Sequence, residues 1–487
     1  MMETVSVIRT PHHIRPDPRR QVLRPFIPGT TNFGGDLDRL DQIIGRALAI
    51  PAQRRSDLVA SLVAEYGSRF PGVESTWLRH FEMADQRTTA MAGVTDDSTR
   101  LFVGALLTQG YAYEAAALTN PSIVPVGEIT NGVQPFVMSA RAIGEGHISS
   151  IAFLTGSVDD RGEVTLEERH SNVSNGMRNA PDYSRAAFVE KLVELGFLTT
   201  AASSVLDLLP DTFTEDELSG ALSQALDSDV DDLSVQDAAK RMHWLAASNY
   251  RLEFDPSLPL SEHVISPAAP AESRGIEDAR FVRFTDDDGS VCYYATYTAY
   301  DGVRILPQLI ETRDFHTFRM ATMTGPAVHH KGMAIFPRKI HGEYAALSRH
   351  DHERSFVLRS NSIRSWSTAE MVFGPESEWD LVQTGNCGSP IETDAGWLVV
   401  THGVGPMRRY SLGALLLDLD EPSKVLARLR SPLIEAEGDE IYGYVPDVVY
   451  SCGSMVHAGN LITPFGYSDV GIKVAVTPID ELISAMD

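Results

Sequence analysis

Cysteine is scarce in this sequence. Only three occur in 487 residues, namely Cys292, Cys387 and Cys452, and they lie far apart. An odd number of widely spaced cysteines argues against a disulfide framework and is typical of a reducing compartment. No activating partner lies near Cys387 in the sequence, which favours a buried or turn position over a reactive thiol. We therefore expect a cytoplasmic protein.

Long apolar runs and an excess of basic residues are also missing. No run approaches the ~18 apolar residues of a membrane span, and no apolar segment follows the mildly basic N-terminus as in a secretory signal. The 41 basic residues are outnumbered by 66 acidic ones, for a net charge of −25. This charge disfavours nucleic acid and anionic membranes as partners, whereas a neutral sugar is compatible with it. An anionic substrate would need a local basic cluster.

The first part of the chain, residues 1–115, is predicted to be a helical segment. Leu37, Leu40 and Ile44 recur at helical spacing, and further helical patterns follow. The apolar faces carry no catalytic cluster. We therefore expect these helices to pack on the rest of the protein or to support a homo-oligomer.

The remainder, residues 116–487, is predicted to be mainly β. Short strand-like runs separated by Gly-rich turns recur about every 8–12 residues, which indicates a sandwich, a barrel or a propeller. The strands are too many for one small sandwich, which favours a propeller, although no strict repeat counts the blades. A helical insert interrupts the strands at about residues 165–249, where Thr214 and Glu217 form a capping box.

The densest polar segment is Ser273-Arg-Gly-Ile-Glu-Asp-Ala-Arg280, directly before a strand. The adjacent carboxylates Glu277 and Asp278 are flanked by Arg274 and Arg280. Such a set could supply a general acid held in a tuned electrostatic field. A turn with surface ion pairs is the structural alternative.

Basic side chains lie at the edges of three separate strand-like runs. They are Lys331, Arg349 and His402. Together they could form an anion pocket, because arginine offers forked donors and lysine a point charge; scattered solvated charge is the alternative. The run from His350 to Glu353 suggests a metal site, but alternate residues of a strand point to opposite faces, so too few ligands would meet and no metal is predicted.

A further carboxylate follows a predicted strand near the end of the chain. In Phe465-Gly-Tyr-Ser-Asp469 the aspartate is placed where it could accept hydrogen bonds from sugar hydroxyls. A lone aspartate after a strand is also a common turn former. The sequence pattern alone leaves both interpretations open.

The order of these motifs resembles glycoside hydrolase family 130, the β-mannoside phosphorylases and related β-mannosidases. The motifs are Arg-Gly-Ile-Glu-Asp-Ala-Arg, Lys-Gly-Met-Ala-Ile-Phe-Pro-Arg, Leu-Ser-Arg, Gly-Trp-Leu-Val-Val-Thr-His-Gly-Val, Tyr-Ser-Leu-Gly-Ala-Leu-Leu-Leu-Asp and Tyr-Ser-Asp. They fall within residues 120–160 and 250–480, and their shared order is more specific than any one of them. The resemblance implies a five-bladed β-propeller with its active site at the mouth of the central channel. The helical N-terminal segment and the helical insertion lie outside this core.

The resemblance also implies roles for individual residues. Asp278 is implied to be the proton donor, acting through a hydroxyl of the mannosyl ring. Phosphate is implied to bind Lys331, Arg349 and His402. The residues implied to bind the sugar substrate are Arg141, Glu277, Arg280, Tyr410 and Asp469.

The residue types at the phosphate positions bear on the reaction. A phosphorylase needs a cationic cradle, so that phosphate can attack the anomeric carbon from the face opposite the departing group, whereas a hydrolase needs a carboxylate base there. Lys331, Arg349 and His402 are all cationic or able to become so, and no glutamate replaces them. We therefore expect an inverting β-mannoside phosphorylase that converts β-manno-oligosaccharides and inorganic phosphate to α-mannose 1-phosphate, without a cofactor.

Two alternatives remain at this point. An inverting β-mannosidase would use the same Asp278, with Glu353, Glu437 or Glu440 as the base for water. A non-catalytic propeller would bind a glycan or a protein partner without turnover. The sequence leaves the linkage, the acceptor sugar and the oligomeric state open.

Overall fold

The structure, a computed structural model, describes residues 5–28, 39–228 and 233–487. The chain divides into two compact units. The larger comprises Met1–Asp17, Glu114–Arg169 and Ser174–Asp487, and the smaller comprises Pro18–Tyr113 and His170–Val173. Leu37, assigned above to a helical pattern, lies outside the described residues.

Both units contain helices. Those of the smaller unit are α1 (Arg39–Leu48), α2 (Ala52–Tyr66), α3 (Val73–Asp85) and α4 (Asp97–Leu106). Those of the larger unit are α5 (Arg185–Glu194), α6 (Thr200–Leu206), α7 (Glu215–Ser228), α8 (Leu233–Ala247) and α9 (Ile479–Ser484). Among the residues described, no helix has the length and apolar character needed to cross a membrane.

Strands dominate the rest of the chain. The first fifteen are β1 (Ile8–Ile14), β2 (Gln21–Pro25), β3 (Thr108–Ala112), β4 (Ala117–Pro125), β5 (Gln134–Ile143), β6 (Ser149–Val158), β7 (Val164–Leu166), β8 (Met177–Asn179), β9 (Tyr183–Ser184), β10 (Thr212–Phe213), β11 (Tyr250–Glu253), β12 (Val264–Ile265), β13 (Gly275–Thr285), β14 (Val291–Tyr300) and β15 (Ile305–Thr312). The others are β16 (Thr317–Thr322), β17 (Ala334–Ile335), β18 (Tyr344–Ser348), β19 (Ser355–Ser360), β20 (Thr368–Phe373), β21 (Gln383–Asn386), β22 (Ile391–Thr393), β23 (Gly396–Val404), β24 (Tyr410–Leu417), β25 (Val425–Arg428), β26 (Val449–Tyr450), β27 (Met455–His457), β28 (Asn460–Tyr467) and β29 (Gly471–Pro478).

The larger unit is mainly β and consists of successive antiparallel strand groups. The first group is β4–β7 with β12, and the second is β13–β16 extended by β11 and β8. A single parallel pair, Gly275 with Ser149, joins these two groups into one sheet. The third group is β17–β20, the fourth β21–β25, and the fifth β26–β29 together with β1.

Hydrogen bonds outside the sheets connect each group to the next and the fifth back to the first. The second group is bonded to the third, the third to the fourth, the fourth to the fifth, and the fifth to the first. The bonds are Thr285 N to Pro337 O (2.9 Å), Asn386 Nδ2 to Gly332 O (3.1 Å), Tyr410 N to Asp447 O (3.1 Å) and Cys452 N to Pro121 O (2.7 Å). With the pair that joins the first two groups, these contacts form a closed cycle.

The beginning of the chain differs from the helical segment expected over residues 1–115. Strand β1 pairs antiparallel with β29, with Ile8 opposite Val476 and Ile14 opposite Ile472. Pro11 lies within β1, at the edge of the fifth group, where a residue without an N–H is tolerated. Poor alternation in this segment hides the strand in the sequence. The helices of the smaller unit begin only at Arg39 in the described chain.

The helical insert has a core of its own. Helices α5–α8 bury Phe188, Leu192, Leu218 and Met242 in one apolar cluster. Thr214 caps α7 as predicted: its hydroxyl accepts from the N–H of Glu217 at 3.2 Å, and its N–H donates to the Glu217 carboxylate at 2.8 Å. The insert therefore forms a packed layer of the larger unit.

Candidate active site

Asp278 lies at an irregular point of β13. The register between β13 and β14 shifts between Glu277 and Arg280, and the φ of Asp278 is 57°. In a regular strand the side chains of Glu277 and Asp278 would point to opposite faces, but a β-bulge re-aims one of them. Aspartate is among the few non-glycine residues that tolerate this left-handed conformation. The local backbone therefore turns both carboxylates toward one site.

Asn120 fixes the Asp278 carboxylate from the first strand group. It lies in a similar irregularity of β4, with φ 48°, and its Nδ2 donates to Oδ1 of Asp278 at 2.5 Å. Gly466 of β28 leaves space for this segment, because a Cβ there would lie 2.4 Å from Oγ1 of Thr119 and 3.0 Å from N of Asn120. Asn120 was not predicted from the sequence. Its only signal there is the Asn-Pro dipeptide, which marks a turn.

Cations surround Asp278, whose side chain is only 16% exposed. Burial raises the pKa of this carboxyl, but the charges of Arg141, Arg280 and Lys331, with the hydrogen bond from Asn120, outweigh burial and bring the pKa below its ordinary value. The nearest guanidinium contact is Arg141 Nη1 to Asp278 Oδ1, at 3.7 Å. Without substrate, Asp278 is therefore ionised at neutral pH.

Glu277 holds two of these cations together. Its Oε1 accepts from Arg141 Nη2 at 2.7 Å, and its Oε2 accepts from Lys331 Nζ. The Glu277 side chain is 10% exposed and the Lys331 side chain 36%. Glu277 therefore orients both cations, and Lys331 keeps contact with solvent.

Two glycines make room for Arg349. A Cβ on Gly332 would lie 2.8 Å from Arg349 Nε, and one on Gly385 would lie 2.5 Å from Arg349 Cδ and 2.8 Å from His402 Cε1. Gly332 has a φ of 95°, which also requires glycine. The Arg349 side chain thus runs over bare backbone at Gly332, the residue that follows Lys331 in the chain.

His402 supports Arg349 and is not a cation. Its side chain is fully buried, and its Nε2 lies 3.5 Å from Arg349 Nη1 and 3.4 Å from Gln383 Nε2. Burial, together with the charges of Arg349 and Arg280, brings the pKa of His402 well below its ordinary value. The imidazole, expected above to be cationic or able to become so, is therefore neutral at pH 7, and its role in phosphate binding stays a prediction.

Arg280 is likewise placed differently from the sequence expectation. It is 1% exposed, and its Nη1 donates to the carbonyl oxygens of Asn386 (2.9 Å) and Cys387, while its Nη2 donates to Tyr450 Oη at 2.8 Å. These bonds tie β13 to the fourth and fifth strand groups. Direct sugar contact by Arg280, as the resemblance implied, does not fit this burial. Its charge still acts on Asp278.

Aromatic rings line the fourth and fifth strand groups at this site. The Tyr410 ring is parallel to the His402 ring, with centroids 6.4 Å apart and an interplanar angle of 8°. Tyr450 contacts both, with centroid distances of 4.9 Å to His402 and 6.3 Å to Tyr410. Tyr450 and Gln383 were both missed in the sequence, because neither stands in a motif. Both tyrosines are half-buried.

Asp469 shares the electrostatic field of Asp278. It follows β28 with a φ of 52°. Burial raises its pKa, Arg141 lowers it, and the nearby Asp278 charge raises it. Arg408, which also has a positive φ, acts on the same carboxyl. Asp469 and Arg141 are therefore both within reach of Asp278.

The predicted residues fall into two adjoining clusters. Asp278, Glu277, Arg141, Lys331 and Asp469 form one network of charges. The other contains Arg349, His402 and Tyr410, and is joined to the first through the Lys331–Gly332 segment. An acid–base carboxylate beside two orientable cations can exchange a proton with a substrate and hold an anion next to it.

The histidine-rich run forms ring pairs. His329 lies against His350, with centroids 5.0 Å apart, and His330 against His352, at 3.6 Å. In the part of the chain that the structure describes, no group of three or more His, Cys, Asp or Glu side chains could hold a metal ion. Cys292, Cys387 and Cys452 are free and buried, and burial raises the pKa of Cys387 to about 12.

Comparison with known proteins identifies relatives of this chain. The family model described as beta-1,4-mannooligosaccharide phosphorylase matches residues 259–487. The 1,2-beta-oligomannan phosphorylase of a Thermoanaerobacter species is 32% identical over 230 residues, which are 46% of this chain and 75% of that protein. The beta-1,2-mannobiose phosphorylase of Listeria innocua is 30% identical over 221 residues, which are 44% of this chain and 60% of that protein.

Solved structures also align with the larger part of the chain. The Listeria innocua beta-1,2-mannobiose phosphorylase, in complex with beta-1,2-mannobiose, covers 77% of this chain and 92% of its own, at 20% identity and a TM-score of 0.45. The smaller unit and the insert helices α5–α8 lie before the region that the family model matches.

Proposed function

The chain is a member of glycoside hydrolase family 130, and we propose that it is an inverting β-mannoside phosphorylase. It cleaves the β-mannosidic bond of manno-oligosaccharides with inorganic phosphate and releases α-mannose 1-phosphate. The observation that supports this proposal is the pair of cations Lys331 and Arg349 on adjoining backbone segments, with Lys331 bonded to Glu277 and acting on the neighbouring carboxylate of Asp278. Two relatives are named for β-1,2-linked mannosides, and we extend that linkage to this chain. Phosphate is a co-substrate in this proposal, and no cofactor takes part.

Phosphate is held by Lys331 and Arg349. The fork of Arg349 suits two phosphate oxygens, and Lys331 adds a point charge. Neutral His402 and Gln383 hold Arg349 in place. This positioning directs a phosphate oxygen at the anomeric carbon from the face opposite the leaving group, which inverts the configuration.

Asp278 gives its proton to the departing sugar through a hydroxyl of the mannosyl ring. The cations that keep Asp278 ionised without substrate are also the proposed ligand-binding groups. Phosphate is an anion, so when bound it offsets the charge of Lys331 and raises the pKa of Asp278. The acid is therefore primed when phosphate is bound.

The mannosyl unit is held by Arg141, Asp469 and Tyr410. Charged partners form strong hydrogen bonds with sugar hydroxyls, and the partly exposed Tyr410 ring supplies an apolar wall. Glu277 orients Arg141 and Lys331, which bind different substrates in this proposal. Arg280 acts as a positioning residue through its bonds to the fourth and fifth strand groups.

The hydrolase alternative loses one of its candidate bases, Glu440. Glu440 is 1% exposed and pairs with Arg9 at 3.0 Å and Lys473 at 3.2 Å. Glu437 pairs with Arg9 at 2.7 Å. The contacts with β1 and β29 commit Glu440 to that network, whereas the Glu437 side chain stays 67% exposed. Glu353 is exposed, and its backbone is fixed on both sides: its N–H donates to Asp351 Oδ1 at 3.2 Å and its carbonyl accepts from Thr384 N at 3.1 Å.

The arrangement of the sheets supports a five-bladed β-propeller. Each of the five strand groups is one proposed blade, and the cyclic hydrogen bonds connect neighbouring blades. The first strand, β1, completes the fifth blade beside β29. Site residues come from all five groups, as expected for a site at the mouth of a central channel.

One assay tests the proposed function. The purified protein is incubated with β-1,2-mannobiose, and separately with β-1,4-mannobiose, with and without phosphate. We expect phosphate-dependent cleavage of the β-1,2 substrate and formation of mannose 1-phosphate. Equal cleavage in phosphate-free buffer, with free mannose as the product, would establish the hydrolase instead. Binding without any turnover would indicate the non-catalytic propeller.

A further inference from the structure

Two exposed rings stack on each other at the surface of the larger unit. The His147 and Tyr444 ring centroids are 5.7 Å apart, with an interplanar angle of 28°. Tyr444 is 75% exposed, and His147 is exposed as well. Neither side chain belongs to an apolar core cluster. An ordered aromatic pair that remains open to solvent is a common feature of ligand-binding surfaces.

The loop that carries Tyr444 is attached to the Asp469 segment. Val445 N donates to Ser468 O at 3.2 Å, and a Cβ on Gly443 would lie 2.2 Å from the same carbonyl oxygen. The loop is also bonded to the site's aromatic wall, since Tyr410 N donates to Asp447 O at 3.1 Å. Tyr444 therefore lies at the same end of the sheets as Asp469.

The second ring is presented by the hairpin that follows Arg141. Strand β5 carries Arg141 and ends at Ile143, and the tight turn to β6 holds His147 with a φ of 56°. The bonds Gly144 N to Ile148 O (3.0 Å) and His147 N to Gly144 O (3.1 Å) define this turn. The turn starts three residues beyond Arg141, about 10 Å along an extended strand. More than one sugar ring is needed to bridge that distance.

We propose that His147 and Tyr444 form a platform for a sugar ring of the substrate beyond the two rings at the cleaved bond. This inference rests on the proposed function. One face of a pyranose ring presents C–H groups, which an aromatic ring covers through dispersion and apolar burial. The pair lies outside the charged cluster, so its ligand there is a neutral sugar and not the phosphate.

The platform predicts that this protein acts better on longer oligosaccharides than on a disaccharide. A disaccharide held at Arg141 and Asp469 does not extend to the platform, whereas a trisaccharide or tetrasaccharide does. Because the rings are open to solvent, the far end of a longer chain can continue outward. Catalytic efficiency is therefore expected to rise with chain length until the platform is occupied.

The test compares substrates of different length. The kcat/KM for phosphorolysis is measured on β-1,2-linked mannobiose, mannotriose and mannotetraose at one phosphate concentration. We expect the wild-type tetraose-to-biose ratio to exceed one, and Tyr444→Ala to reduce that ratio roughly three- to tenfold. Tyr444→Phe keeps the ring and is expected to keep the ratio. His147→Ala is expected to reduce it by a smaller factor.

Tyr442→Ala is the matched control. Tyr442 stands in the same loop with the same 75% exposure, and within the described chain it has no ring contact with His147. A ratio unaffected by Tyr442→Ala supports the platform, whereas an equal loss in both alanine variants would attribute the effect to the loop and overturn it. A wild-type ratio of one would also overturn it.

A binding measurement separates this inference from the reaction itself. Calorimetry on the Asp278→Asn protein gives the affinities for mannobiose and mannotetraose without turnover. Tighter tetraose binding that Tyr444→Ala removes would support the platform even if no phosphorolysis were found in the wild type. Equal affinities for both lengths would overturn it even if phosphorolysis of mannobiose is robust.

Discussion

Replacing Asp278 with asparagine tests the role of its acidic proton separately from the role of the side chain in the local structure. The φ of Asp278 is 57°, and asparagine tolerates this conformation as aspartate does. The amide oxygen of the variant can still accept the hydrogen bond from Asn120. The bulge and its neighbours are therefore expected to stay in place, while the ability to donate an acidic proton is lost.

The expected loss of activity follows from the proposed role of Asp278 as a general acid. General acid catalysis contributes about 10²- to 10⁴-fold, so kcat is expected to fall by that factor, about 2.7–5.5 kcal/mol in the activation barrier. Stability should fall only slightly. The variant loses the partly buried charge pair with Arg141, at 3.7 Å, but Glu277 still accepts a hydrogen bond from that guanidinium.

The assay measures mannose 1-phosphate release from β-1,2-mannobiose, together with thermal unfolding of each protein. Asp278→Ala is the matched comparison, because alanine also loses the proton but adds the strain of a left-handed non-glycine residue, about 1–2 kcal/mol. We expect similar activity losses in the two variants, and a clearly lower melting temperature in the alanine variant than in the asparagine variant. A kcat within tenfold of wild type for Asp278→Asn would refute the assigned acid.

Three further outcomes are expected. Arg349→Ala removes charged hydrogen bonds worth about 1.5–3 kcal/mol, so steady-state kinetics should show the KM for phosphate rising by roughly one to two orders of magnitude; an equal rise in the mannoside KM would contradict the assignment. Arg141→Ala and Asp469→Ala should each weaken mannoside binding by about 1–3 kcal/mol in calorimetry, and unchanged affinity would remove them from the sugar site. His80 of α3 has a pKa lowered to about 4 by burial, and the unfolded chain takes up its proton near pH 6.5. Its stabilising effect is therefore present above pH 6.5 and lost as the pH falls toward 4, so denaturant unfolding should show a weaker pH dependence for His80→Gln, and an identical dependence would count against it.

Much of the fold was accessible from the sequence because many of its strands are short, largely apolar runs bounded by turn residues. The run Gly396–Val404, for instance, is continuous, apolar and bounded by glycine and proline, and it forms β23. The capping box at Thr214 was equally local, and it is confirmed. Strand β1 was missed because its partner β29 lies at the other end of the chain, and no local pattern carries that information.

The candidate site was less accessible, because its chemistry depends on burial and on neighbours. The cluster around Asp278 follows from family motifs, and these residues do lie together. His402 and Arg280 lie in the same motifs. Burial makes His402 neutral, whereas Arg280 is buried and donates to backbone carbonyl oxygens. The role of Asn120 could not be predicted from the sequence, because it depends on two backbone irregularities, one in β4 and one in β13, that come together only in the folded protein.

The pairing of β1 with β29 has a consequence for how the site is assembled. These strands are more than 450 residues apart in the chain, and such a distant pairing forms late in folding, after the local hairpins. Asp469 lies two residues before β29, in the turn that β28 and β29 share. The turn that holds the proposed sugar-binding carboxylate therefore adjoins the strand pair that forms last. A molecule in which β1 and β29 have not yet paired has its other four strand groups formed but an incomplete substrate site. Recovery of catalysis during refolding is therefore expected to lag behind the recovery of β-structure.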